Sequence, residues 1–207
     1  MKWMIASDLH GSYYYAQQME AAFAREGADR LLLLGDLLYH GPRNDLPEGY
    51  APKQVIPLLN RMKDRLLCVR GNCDAEVDQM VLEFPILADY AVLPVGQRLL
   101  YATHGHVYSR QAPPPLAPGD LLLQGHTHVP TWEAFGQGNL CLNPGSLSLP
   151  KEGSAHGYMT LEGELFQWKT LEGALYHQLL LEDRDCREQQ NVTKAQLKCY
   201  KSATKFS

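Results

Sequence analysis

The chain opens on short apolar blocks separated by polar segments. "KWMIASD" (2–8) is an apolar run closed by a polar loop, the pattern of a buried strand. Ser12 then offers a helix N-cap. Ala16, Met19 and Phe23 recur at helical spacing, and Gly27 suits the position just past a helix end. "RLLLLGD" (30–36) reads as a second strand. Val55, Leu59 and Met62 mark another helix, which Pro57 must kink or whose start it must shift. "RLLCVRGN" (65–72) reads as a third strand. This βαβαβ rhythm predicts parallel strands with right-handed crossovers.

After residue 85 the rhythm changes. "YAVLPV", "RLLYATHG", "DLLLQGHTH", "TWEAFG", "NLCLNPGS", "GYMTLEG", "ELFQWKTLEG" and "ALYHQLLLE" are short runs set apart by turn residues, so the second half is mainly β. Two layered sheets in one α/β domain are the natural sum. Two loops are rich in Pro and Gly. "HGPRNDLPEGYAP" (40–52) is expected to be ordered, and "SRQAPPPLAPG" (109–119) to be stiff and extended. Cys68, Cys141, Trp168 and the "LLLE" run read as core. Neither His156 nor His177 acquires a role. Residues 183–207 have no Gly or Pro and few apolar positions, which predicts a frayed or disordered tail after a domain spanning 1–182.

With 207 residues the chain is long enough for one domain with a real core. Its net charge of -4 leaves no footprint for a stable nucleic-acid complex. The tail carries six Lys/Arg against three acids, so residues 1–182 are acidic by seven charges. Such a body suits an anionic substrate only if something cationic sits in its site. "MKWMIASDLHG" is no signal peptide, and no stretch approaches the ~20 apolar residues that span a bilayer, so no membrane partner is expected. The cytoplasm is the expected compartment. The five cysteines include no CxxC and are expected as free thiols.

Polar residues fall where apolar runs end. Asp8 and His10 follow the first, Asp36 the second and Asn72 the third; His104 and His106 follow "LLYAT", and His126 and His128 follow "LLLQG". The carboxyl ends of parallel strands face one crevice in an open α/β sheet, so these side chains are expected to share a pocket. The pairs Asp8/His10 and His126/His128 would each point the same way if the backbone stays extended. Gly35, Gly71, Gly105 and Gly125 leave room for close approach. A lone Asp at a strand end is ordinarily a cap, and a lone His ordinarily a surface or core residue. Five such strand ends in one chain point instead to a shared metal site.

"DLHG", "GDLLYHG", "GNCD", "THGH" and "GHTHVP", in this order and at these spacings, resemble the calcineurin-type metallophosphoesterase superfamily through about residue 182. "GNCD", "HGPRNDLPEGYAP" and "NPGSLSLPK" are similar to its YfcE-type phosphodiesterases, with the retromer scaffold subunit as a cousin. The resemblance implies a four-layer αββα sandwich of two mixed β-sheets flanked by helices. It also implies two divalent ions, one held by Asp8, His10, Asp36 and His128 and the other by Asp36, Asn72, His104 and His126, with Asp36 bridging. Two cations at ~3.5–4 Å acidify a shared water, and the resulting hydroxide attacks phosphorus in line. Mixed carboxylate, amide and imidazole ligands suit Mn²⁺, which the resemblance favours, or Zn²⁺, Fe²⁺ or Ni²⁺. The implied activity is a phosphodiesterase acting on a small phosphate ester. A phosphomonoesterase of the same fold, or a non-catalytic scaffold, is the alternative. Homo-oligomerisation through sheet edges is open.

Cys73 is harder to read. No C-x₅-R loop follows to make it a phosphatase nucleophile, and Asn72 already fills the ligand place beside it. Many relatives carry His at this position, where it contacts phosphate and helps protonate the leaving group. A thiol near pKa ~8.5 is a poorer donor than an imidazolium at ~6.5. The expectation is a preference for acidic leaving groups unless His106 or His40 donates, with a plain packing role as the alternative. Arg43 and Asn44, in the 40–52 loop, are the candidate substrate contacts. "NPGSLSLP" (143–150) is expected to support the histidine ligands.

Overall fold

The computed structural model describes residues 1–181, and the tail expected to be frayed lies outside them. The first half contains β1 (Lys2–Ala6), α1 (Tyr13–Glu26), β2 (Arg30–Leu33), α2 (Pro52–Arg61), β3 (Leu66–Cys68) and the short α3 (Glu76–Gln79). The second half adds β4 (Tyr90–Val95), β5 (Arg98–Thr103), β6 (Leu121–Leu123), β7 (Thr131–Phe135), β8 (Asn139–Asn143), β9 (Gly157–Glu162), β10 (Leu165–Thr170) and β11 (Leu175–Leu180). They form two mixed sheets, in the orders β11-β10-β9-β1-β2-β3 and β4-β5-β6-β8-β7. β1, β2 and β3 are parallel, and so are β5, β6 and β8.

Alternation along the central strands explains the layering. Ile5, Leu32 and Leu34 face inward against Leu100, Leu121, Leu123 and Leu142 of the second sheet. Met4, Leu31 and Leu33 face outward against Met19, Phe23, Val55 and Leu59 of the first two helices. Each sheet therefore buries a period-2 face, and each helix a 3.6-period stripe. This is the expected sandwich of two mixed sheets flanked by few helices. The outer face of the second sheet is overlain by the proline-rich 109–119 segment, where Arg110 pairs with Glu133 and bonds Gln124, and Pro114 is buried. Four prolines there deny the segment the donors a helix needs.

Local signals mostly hold. Ser12 caps α1 by accepting from Tyr15 N–H at 3.1 Å, and Gly27 ends it in the left-handed region at φ 58°. α2 runs straight through Pro57, starting at Pro52. The second and third strands are shorter than their apolar runs, because the chain leaves each ladder early to form the loops that carry Asp36 and Asn72. Cys68, Cys141 and Trp168 are buried as expected, whereas Leu180 of "LLLE" is 66% exposed on the edge strand and Glu182 lies outside the described residues. His156 and His177 have structural partners. His156 stacks on Tyr15 and bonds its hydroxyl at 3.0 Å, and His177 stacks on Trp132 at 3.8 Å.

A partly buried ionic knot ties α1 to the first sheet. Glu26, at the end of α1, accepts from Lys2 of β1 at 2.8 Å, Lys169 of β10 at 2.9 Å and the Tyr158 hydroxyl of β9 at 2.7 Å. Burial opposes charge on Glu26, but these three donors prevail and lower its pKa to about 2.

Candidate metal centre

The polar strand ends do converge, but from both sheets. Asp8, Asp36 and Asn72 follow β1, β2 and β3 of the first sheet; His104 and His126 follow β5 and β6 of the second. The site lies where the carboxyl ends of two stacked parallel arrays meet, rather than at one open sheet.

The backbone there is not extended. Asp8 (φ 58°), His10 (φ 50°), Asp36 (φ 55°), His126 (φ 65°) and His128 (φ 62°) all lie in the left-handed region. Of the non-glycine residues described, only Glu152 joins them in having positive φ. The premise that i, i+2 pairs project together from extended chain is therefore wrong. All four members turn left-handed, a conformation that needs support from its surroundings; Asp8 and His10 then share one cluster, whereas His126 and His128 are divided between two.

That support is visible. The buried Asp74 carboxylate accepts N–H bonds from Asp36 (2.9 Å), Leu37 (2.9 Å) and Gly71 (2.7 Å), tying the loop after β2 to the loop after β3. The Asp8 carbonyl accepts from the hydroxyls of Ser146 (3.0 Å) and Ser148 (2.9 Å). Asn143 donates to the Gly125 carbonyl at 2.8 Å and to the Thr127 hydroxyl at 3.0 Å, holding the loop that bears His126 and His128. A Cβ on Gly71 would collide with the carboxylate and backbone N of Asp36.

Ring orientation is set from behind. Nδ1 of His10 donates to the Tyr39 carbonyl (2.9 Å), that of His104 to Leu34 (2.6 Å) and that of His128 to Leu149 (2.6 Å). Each bond fixes the tautomer and leaves Nε2 as an acceptor pointing inward. His10 Nε2 and His128 Nε2 stand 3.2 Å apart, with Asp8 Oδ1 at 3.6 and 3.2 Å from them and without a hydrogen bond of its own. His104 Nε2 faces Asn72 Oδ1 at 3.0 Å and His126 Nδ1 at 3.2 Å. Asp36 Oδ2 lies between the two groups, 3.7 Å from His10 Nε2 and 3.5 Å from His104 Nε2. Its other oxygen accepts from Cys73 N–H at 2.8 Å.

Such clusters of inward-facing acceptors repel one another unless cations intervene, so the donor set fits divalent metal. Titration behaviour agrees. Burial opposes charge on His10 and on His104, yet the neighbouring carboxylates raise both pKa values. Burial likewise opposes charge on Asp8, but the imidazoles of His10, His128 and His104 beside it hold its carboxyl well below the usual range.

Asp36, Asn72, Cys73, His126, His128, Arg43 and Asn44 line a single cavity of about 370 Å³, so the expected substrate loop and the ligands share a wall. Arg43 is exposed there, while Asn44 Nδ2 is engaged with the His40 carbonyl at 2.8 Å. The loop itself is ordered by Tyr13 N–H to Gly49 and Ser12 Oγ to Glu48. His106 is exposed, with its ring 5.4 Å from that of His104, and is absent from the cavity wall. Burial, then the Asp36 carboxylate, pushes the Cys73 thiol up to about 12, so it stays protonated at neutral pH.

A profile of the calcineurin-like phosphoesterase superfamily domain matches residues 1–164. The chain belongs to this superfamily. It is 46% identical to phosphodiesterase YfcE of Escherichia coli K12 over 165 residues, covering 80% of this chain and 89% of that protein. The solved structure of the E. coli phosphoesterase Yfce superposes with a TM-score of 0.84 at 42% identity, covering 88% of this chain and all of the other. Vps29 of Entamoeba histolytica, solved with Zn²⁺, shares the fold alone, at TM-score 0.52 and 18% identity over 87% of this chain and 99% of that one.

Several functional parts of this calcineurin-like phosphoesterase carried little sequence signal. Asp74 was visible only as an acid after "GNC", whereas Asn143, Ser146, Ser148 and Leu149 lie in the 143–150 loop that was expected to support the ligands and does hold them. The three carbonyls behind the histidines carry no side-chain signature at all. Lys151 lines the cavity as well, and the motif "NPGSLSLPK" ended on it without indicating a task. Among the described residues, no helix is long and apolar enough to cross a membrane.

Proposed function

We propose that this protein is a metal-dependent phosphodiesterase that hydrolyses small phosphate esters. Asp8, His10, Asp36 and His128 hold one divalent ion, and Asp36, Asn72, His104 and His126 a second. The observation that carries this reading is the acceptor-only convergence of two clusters on the two sides of Asp36 Oδ2. When bound, the ions supply Lewis-acid charge for phosphate oxygens and an activated water at neutral pH. The hard and borderline donor set, together with the family likeness, favours Mn²⁺.

The chain's own residues do the positioning. Cys73 N–H fixes one Asp36 oxygen and so aims the other. The carbonyls of Tyr39, Leu34 and Leu149 hold three imidazoles by Nδ1, which directs Nε2 at the site and makes it the nitrogen available to an ion. Arg43 and Asn44 meet the substrate at the cavity wall. A thiol at Cys73 is a poorer proton donor to a leaving alkoxide than an imidazolium would be, and no C-x₅-R loop follows to make it a nucleophile. Leaving groups that depart as stable anions, such as aryl oxides, are therefore preferred. Cys73→His is expected to flatten the dependence of kcat/KM on leaving-group pKa, and an unchanged slope removes Cys73 from the mechanism. His106 and His40 are the remaining candidate donors, and His106→Gln and His40→Gln test them in the same series.

The deciding experiment is hydrolysis of an aryl phosphodiester and the matching monoester by metal-stripped protein, with Mn²⁺, Zn²⁺, Mg²⁺ or nothing added. Metal-dependent cleavage of the diester above the monoester is expected. Silence with every ion, in folded protein that binds two of them, would leave a binding scaffold instead.

A further inference from the structure

Two side chains of the cavity wall carry full positive charge and belong to no ligand set: Arg43, from the 40–52 loop, and Lys151, from the turn after "NPGSLSLP". Among the described residues neither has a carboxylate within 4 Å, and Asp36 is the only carboxylate of the wall. Lys151 is rooted firmly. Its N–H donates to the His128 carbonyl at 3.1 Å, and its own carbonyl accepts from Ser154 N–H at 3.0 Å and Ser154 Oγ at 2.7 Å. Glu152 and Gly153 follow in the left-handed region, at φ 56° and 71°. A non-glycine residue held there marks a turn whose shape is enforced, and the turn aims its lysine beside His128.

Charge matching indicates what the lysine is for. Two dications set against the carboxylates of Asp8 and Asp36 and an activated hydroxide leave one net positive charge. A simple diester cancels it. Arg43 and Lys151 then add two more, in a cavity where no carboxylate except Asp36 offsets them. A substrate with one phosphodiester charge leaves this wall unmatched.

We propose that Lys151, together with Arg43, forms a subsite for a second anionic group on the substrate. The preferred ester is then a phosphodiester whose non-leaving arm carries a carboxylate or phosphate. The inference rests on the phosphodiesterase reading and names the substrate class of the same site. Lys151 supplies a charge-assisted bond to the arm, and Arg43 a planar fork that suits oxyanions. Long-range attraction also favours the more highly charged ester but is screened by salt, whereas a direct bond from Lys151 to the arm survives at higher ionic strength.

The test uses two diesters with the same 4-nitrophenyl leaving group, one with a butyl arm and one with a 3-carboxypropyl arm. With divalent metal at about 0.15 M salt, where long-range steering is screened, the wild-type protein is expected to favour the carboxylated arm roughly tenfold in kcat/KM, the size of one hydrogen bond to a charged group. Lys151→Gln removes most of that ratio and Lys151→Arg retains it. Equal kcat/KM for the two arms in the wild type, or an equal loss on both in Lys151→Gln, overturns the proposal. Calorimetric binding of butyl phosphate and 3-carboxypropyl phosphate to the metal-loaded protein supplies a readout independent of turnover. If neither diester is cleaved with any ion, the phosphodiesterase reading fails, and calorimetry still decides the subsite. Weaker binding of only the carboxylated ligand in Lys151→Gln supports it, and unchanged binding sinks it.

Discussion

Replacing Asp74 by asparagine preserves the shape of the side chain and removes acceptor capacity. Oδ2 takes the N–H groups of Asp36 and Gly71, and Oδ1 takes that of Leu37. Asparagine has one carbonyl oxygen. In its better orientation it keeps the Asp36 and Gly71 bonds and turns an amide NH₂ towards Leu37 N–H, donor against donor. The lost bond to a charged acceptor costs about 1.5–3 kcal/mol, and the two retained bonds weaken as the charge disappears. Burial raises the Asp74 pKa despite those three donors, so removing the charge returns some desolvation energy. The net expectation is a loss of about 2–3 kcal/mol, a large fraction of the ~5–15 kcal/mol typical of a domain. Urea unfolding of the metal-stripped protein, at constant m, measures it. Because the same carboxylate anchors the loops of Asp36 and Asn72, calorimetric affinity for divalent ions should fall as well. A stability change within about 0.5 kcal/mol, with unchanged metal affinity, would refute the view that Asp74 organises the site.

The Glu26 knot predicts a specific acid sensitivity. Its pKa falls from 4.5 to about 2 on folding, so its stabilisation is present above pH 4.5 and is lost as pH drops from there towards 2. The shift corresponds to about 3 kcal/mol at most, which solvent at the partly exposed Lys2 reduces to about 1–2 kcal/mol. Glu26→Gln should lower stability by that amount at pH 7 and have little effect near pH 2.5, as read by unfolding at both pH values. Gly71→Ala forces a Cβ into Asp36 and is expected to weaken divalent-ion binding at least tenfold by calorimetry; normal affinity would show that the two loops separate at little cost. Chelation should lower the melting temperature, because an ion at a hundredfold its Kd adds about 2.7 kcal/mol, or roughly 5–10 °C for a chain of this size. An identical Tm with and without Mn²⁺ would argue against a preorganised centre.

What the sequence by itself determined was the set of parts and their order. Apolar runs of period 2 and 3.6 marked the strands and helices, since burial imposes those periods locally. Asp8, His10, Asp36, Asn72, His104, His126 and His128 were legible because each ends such a run, and a residue's distance from a strand end is a one-dimensional quantity. What only the tertiary structure decided was how the parts meet. Strand partners come from residues far apart in the chain, so nothing local distinguished one crevice on one sheet from the edge shared by two. The left-handed turns at five of the seven positions were hidden for the same reason. A non-glycine residue adopts that conformation only when distant groups hold it, and here these are the Asp74 carboxylate, the Ser146 and Ser148 hydroxyls and the Asn143 amide. The three carbonyls that orient the imidazoles are backbone atoms common to every residue type, so their selection depends on packing alone. Lys151 became meaningful only when folding placed it in the same cavity as Arg43, 108 positions away in the chain.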